Sequence, residues 1–261
     1  MILAVVVLGG AALVLGGSRP SPTASPVAAP GSSAPAASAS AAVSGPGSVA
    51  AASGTAGGPL AEAAIKARHA NPFVGHVVVT TVARDAIKAS LERETAIASG
   101  DIDGNDVNLH LSDVGGSNPA VVQDMVVVGD TAWIRPVNGA WAAHPLGDVS
   151  ASVDGLRSTI ALLADASQLV DVGIETVDGQ QLHHLTASNG VSYESANGQG
   201  SYDSLDLWVT AAGVPVIATG SFHASYGQQP VIGNVDIRYS NLGKPVTIVA
   251  PSGAPTLAPS S

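Results

Sequence analysis

Apolar positions after residue 58 follow two rhythms. In "VIGNVDIRY", Val231, Val235, Ile237 and Tyr239 alternate with Ile232, Asn234, Asp236 and Arg238. Period-two alternation of this kind predicts a strand in an antiparallel sheet with one covered face. "FVGHVVVTTVA" (73–83) is strand-like through its β-branched residues. "MVVVGDTAWIRPVNGAWAAHP" (125–145) predicts two hairpins, turning at Gly129-Asp130 and Asn138-Gly139. Further turn signals stand at Asp178-Gly179, Asn197-Gly198 and Ala212-Gly213. Helical spacing occurs twice: Leu60, Ala64 and Ala67 share a face within 60–70, and Val153, Leu156, Ile160 and Leu163 recur within 151–166. Asn71-Pro72 ends the first helix, because a residue before proline avoids the helical region. Many strands joined by tight turns, with two helices, predict an α+β domain: a curved antiparallel sheet packed on a few helices.

The chain before this domain has a different character. Residues 2–17 are apolar and uncharged. As a helix they span about 24 Å, short of the ~30 Å hydrocarbon core, which suits a signal or anchor segment (1–17). No Lys or Arg precedes them, and a translation start upstream of Met1 would explain that. Residues 18–58 hold a single charge, Arg19, among Ala, Ser, Gly and Pro. This composition predicts a disordered linker. The folded domain is expected over 59–251, with 252–261 as a disordered tail.

Charge narrows the partners. The net charge is −10, and all 20 acidic residues lie at or beyond Glu62. An acidic domain repels phosphate backbones, so nucleic acid is excluded as a partner. The chain has no cysteine, which removes disulfides, thiolate metal sites and cysteine nucleophiles.

Stretches that resemble chemistry do not complete it. "DIDGND" (101–106) begins like a calcium loop, but the sixth and twelfth positions are Asp106 and Ser112 where Gly and Glu are needed. It reads as a turn. His183 and His184 are adjacent, so on a strand they point to opposite faces and cannot share one metal. "GGSNP" (115–119) lacks the strand–turn–helix setting of a nucleophile elbow. Trp133, Trp141 and Trp208 suit strand packing better than a ligand platform. No catalytic residue, metal site or cofactor is therefore expected, and the chain reads as non-enzymatic.

The order "NPF", "GDTAWIRPVNGAW", a helix, "IETVDGQQLHHLT", "LDLWVTAAGVPVIAT" and "YSNLGKPVTIVAP" resembles the LppX/LprAFG group of lipoproteins, over about residues 60–251. That resemblance implies a LolA-like half-barrel around an apolar cavity that takes the acyl chains of a lipid or glycolipid in the cell envelope. The chain departs from the pattern at "LVLGGS", where Ser18 stands in place of the lipidated cysteine. Tethering through the N-terminal segment, or release, is expected instead of acylation. Few rings fill the apolar strands "HVVVT" and "MVVV", and the expected cavity lining is Val77, Val79, Val126, Val128, Leu156, Ile160 and Leu163. A slip of one residue exchanges the faces of a strand. The alternative function is an extracytoplasmic interaction or sensing module without a ligand.

Overall fold

The computed structural model describes residues 58–68, 73–85, 94–114, 122–150, 153, 168–187, 191–195, 198–226 and 229–257, and two dipeptides near the N-terminus. All belong to one unit, Met1–Val14 with Gly54–Ser261. The dipeptides, β1 (Val7–Leu8) and β2 (Ala11–Ala12), pair antiparallel. Among the described residues no helix is long and apolar enough to cross a membrane.

Helix α1 (Pro59–Arg68) opens the domain. Pro59 occupies the first turn, where its missing N–H leaves no bond unmade, and Glu62 N–H donates to Gly58 C=O at 3.1 Å. The helix buries Ala61 and Ala64. The covered face is thus turned by about one residue from the predicted Leu60–Ala64–Ala67 stripe.

The strands follow in chain order: β3 (Val74–Asp85), β4 (Glu94–Asp103), β5 (Asp106–Val114), β6 (Val122–Val128), β7 (Thr131–Pro136) and β8 (Ala142–Pro145). After a crossover come β9 (Val170–Val177), β10 (Gln180–Ala187), β11 (Val191–Ser195), β12 (Gly198–Val209), β13 (Pro215–Tyr226) and β14 (Gln229–Ser240). The sheet runs β8-β7-β6-β5-β4-β3-β14-β13-β12-β10-β9, with β11 also on β12. Every pairing is antiparallel. The strands start at the centre with β3, meander to one edge at β8, resume at the other edge with β9, and meander back until β14 closes on β3. This is the α+β class expected, an open antiparallel sheet with helical residues packed on one face.

Turn chemistry sets the registers. Asp178 and Gly179 both take positive φ (50° and 78°), the pair that a two-residue hairpin requires, and β9 and β10 pair across them from Val177↔Gln180. Gly213 (φ 75°) ends the β12–β13 turn, and a Cβ there would meet Ala63 Cβ at 2.5 Å. The turn and the approach of α1 therefore need the same glycine. Strands β4 and β5 are additions to the sequence-based expectation. They form one hairpin with Gly104-Asn105 at its tip, the turn expected within "DIDGND".

One face of the sheet carries the core. Val77, Val79, Ala98, Ile102, Leu109, Met125, Leu205, Leu207, Ala218 and Ile237 belong to a single buried cluster, joined by Ala61 and Ala64 of α1 and by Val153. Leu146 and Val149, from helical residues 146–150, pack against it.

Candidate functional site

The core face is where the sequence placed a ligand, and registers show how it is paved. One row across the sheet runs Ala96, Thr81, Val235, Gly220, Leu205, Ala187, and the next runs Leu111, Ala98, Val79, Ile237, Ala218, Leu207, Leu185. The centre, over β4, β3, β14 and β13, is built mainly from Ala, Gly and Val. Towards β12 the larger Phe222 and Tyr202 rings fill the space. A Cβ on Gly233 would meet Phe222 Cζ at 2.7 Å and one on Gly220 would meet Tyr202 Cδ1 at 3.1 Å. The rings pack edge to face with centroids 6.2 Å apart. Two polar side chains are buried among the described residues, Thr81 and Gln123. Thr81 Oγ1 has no hydrogen-bond partner.

The predicted lining residues separate. Val77 and Val79 stand on the core face, fully buried. In β6 the phase is the opposite one: Met125 pairs with Leu109 and Val127 with Val107, both on the core face. Val126 and Val128 consequently point to the outer face, Val126 opposite Trp133. The reason is register, because "MVVV" is apolar in either phase and only the hairpins at Gly104-Asn105 and Gly129-Asp130 choose between them. Leu156, Ile160 and Leu163 lie outside the described residues, as does "GGSNP".

The three tryptophans take separate places. Trp133 Nε1–H donates to Pro255 C=O at 2.9 Å, tying the C-terminal segment to β7. Trp141 lies under the Arg135 guanidinium, 4.6 Å from the ring centroid. Trp208 stacks on His184 at 4.5 Å and 13° in the other arm of the sheet.

His184 is the centre of a polar cluster on the outer face. Its Nδ1 lies 2.9 Å from Glu175 Oε1 and its Nε2 2.9 Å from Asp206 Oδ1. Both partners are carboxylates, which only accept, and a neutral imidazole has only one N–H. The ring is therefore an imidazolium donating on both sides. Trp208 Nε1–H completes the group by donating to Glu175 Oε2 at 3.0 Å. The hydrogen bond to Asp206 raises the His184 pKa above its ordinary 6.5, against the opposing effect of burial, with Glu175 adding to the rise. Glu175 is lowered by Trp208 and then His184, and Asp206 is lowered chiefly by His184. His183, on the opposite face as predicted, has Asp171 at 3.3 Å.

A pH dependence follows from these signs. The raised His184 stabilises the fold fully below its unfolded pKa near 6.5, and this is lost as pH rises through the folded value. The lowered carboxylates stabilise it above their unfolded values and lose this as pH falls. Glu175 is largely solvated, so its share is screened. Urea midpoints of the full chain should fall between about pH 6 and about pH 8 more steeply than those of His184→Gln. Equal slopes would show that the cluster does not couple to folding.

A second outer-face group has the order of a hydrolytic relay, which sequence reading missed. His223 Nε2 is 3.0 Å from Ser201 Oγ, and its Nδ1 is 2.8 Å from Asp203 Oδ1. A β-bulge between Tyr202 and Ser204 sets Asp203 beside this histidine. The signal was Ser201 and Asp203 two apart on one strand, but their partner is known only once β13 pairs with β12. His223 and Asp203 are 57% and 56% exposed. In open solvent such a relay stabilises developing charge far less than in a dry, preorganised site. The neighbouring groove, lined by Arg84, Asp203, Phe222, Ile232 and Asn234, is likewise open and half polar, unlike an acyl site. Among the described residues no group of three or more His, Asp or Glu side chains is arranged to hold a metal ion.

No family model matches the chain, and no curated protein does. Solved structures similar to it include a LolA superfamily protein from Nitrosomonas europaea, at 14% identity over 72% of this chain and 93% of that one, TM-score 0.26. A β-barrel-like protein of a domain family of unknown function from Brucella abortus matches at 6% identity over 66% and 100%, TM-score 0.24. A DUF1329 family protein from Desulfovibrio piger matches at 12% identity over 70% and 90%, TM-score 0.24.

Proposed function

We propose that this chain is an exported, non-enzymatic carrier that holds the acyl chains of a lipid or glycolipid against the core face of its sheet. The supporting observation is the paving of that face, mainly apolar from β6 to β10 and small at its centre. An acyl chain laid on such a surface gains roughly 0.8 kcal/mol per buried methylene, less the cost of ordering it. Resemblance in element order to the LppX/LprAFG group favours the same class of ligand. The apolar segment 2–17 would tether the carrier to the membrane in place of the acylated cysteine, with residues 18–58 as its stalk.

Native mass spectrometry of the chain purified without detergent tests this directly. A bound mass of lipid size that disappears on organic extraction is the expected result. A ligand-free mass, unshifted after incubation with the host's lipid extract, would discard the carrier and leave the interaction module.

A further inference from the structure

We infer that the Thr81 hydroxyl is the polar anchor of the bound chain, donating a hydrogen bond to a neutral ester or amide carbonyl; this rests on the carrier reading. Thr81 is 3% exposed and sits mid-strand in β3, at the centre of the sheet. Its cross-strand neighbours on the core face are Ala96 and Val235, and along the strand Val79 and Ala83. None of these side chains has a polar atom. A hydroxyl offers one donor and two acceptor sites, and here all are buried and unmet. Packing does not explain it, because valine has the same shape and equal preference for a strand and would leave nothing unsatisfied. The hydroxyl is also on the face, and in the part of it, where side chains are smallest.

The surroundings define the class of its partner. Among the described residues no charged side chain is buried on this face; the buried polar ones are Thr81 and Gln123. A carboxylate or phosphate brought to Thr81 would meet one neutral donor and no counter-charge, which burial penalises heavily. A carbonyl oxygen needs one donor and bears no net charge. The position therefore suits an acyl ester or amide linkage and rejects a free fatty-acid carboxylate or a phosphate at the same depth.

The test uses the full chain, wild type and Thr81→Val, with bound N-phenyl-1-naphthylamine displaced by methyl palmitate or by octadecane. Loss of one neutral hydrogen bond should weaken methyl palmitate about five-fold in Thr81→Val and leave octadecane unchanged. The carbonyl stretch of isotope-labelled methyl palmitate should lie at the hydrogen-bonded frequency in wild type and in Thr81→Ser. It should return to the hydrocarbon value in Thr81→Val. If methyl palmitate binds both proteins equally, with no shift in its carbonyl stretch, the anchor is wrong and the carrier stands. Should neither compound displace the probe from wild type, the carrier reading fails and the anchor with it.

Discussion

Gly100→Ala is expected to destabilise the fold by about 3 kcal/mol, read as a lower urea midpoint at unchanged slope. Gly100 lies in β4 with φ 156°, and a Cβ built there falls 1.9 Å from the Asn108 carbonyl oxygen and 2.9 Å from Leu109 Cα. Both obstacles are backbone of the adjacent strand, so no rotamer change relieves them. The residue is also the partner of Val77 and Leu109 on the core face. Displacing β4 from β5 would therefore open the sheet beside buried Val77 and Leu109. Gly129→Ala provides the control. Its φ is 58°, and nothing lies within 4 Å of the added methyl, so only the left-handed conformation is penalised, by about 1 kcal/mol. If the two variants prove equally stable, β4 and β5 do not approach as described.

Ile237→Ala should be at least as damaging, at about 3–4 kcal/mol. Ile237 is fully buried in the C-terminal half of β14, between Val79 and Ala218 in the ladders. Its removal leaves a cavity whose walls belong to three strands and cannot close in. Ile232, five residues earlier, points to the outer face opposite Arg84 and His223. Ile232→Ala should cost about 1 kcal/mol, as expected for a half-buried side chain. Comparable losses in the two variants would mean that β14 is paired in the other phase, and with it every core-face assignment in its neighbours. The comparison thus also bears on Thr81, whose face follows from the same register.

How much of this was legible beforehand depended on what each residue needs. Turns were the most readable, because Asn138, Asp178 and Gly179 signal positive φ through local sterics and side-chain chemistry alone. Strand β4, "ETAIASGDID", carries little local strand signal. Ala, Ser, Gly and Asp are weak strand formers, and the segment is a strand because β3 and β5 pair with it on both sides. The opposite faces of His183 and His184 were fixed by the pleat. The partners of His184, however, come from β9 and β12, which no spacing in the sequence brings together. The buried stripe of α1 moved for a similar reason, since the helix sits where Gly213 lets Ala63 approach.

The sequence by itself determined the class, the strand-and-turn alternation and the acidic balance of charge, because each depends on composition or on residues close along the chain. Tertiary structure alone decided which apolar face of β6 turns inward, that Pro255 receives the Trp133 N–H, and that Thr81 is buried without a partner. Those outcomes depend on pairings between residues far apart in the chain. A strand that is apolar in both phases, or a hydroxyl that has a partner only if one arrives, leaves no local mark.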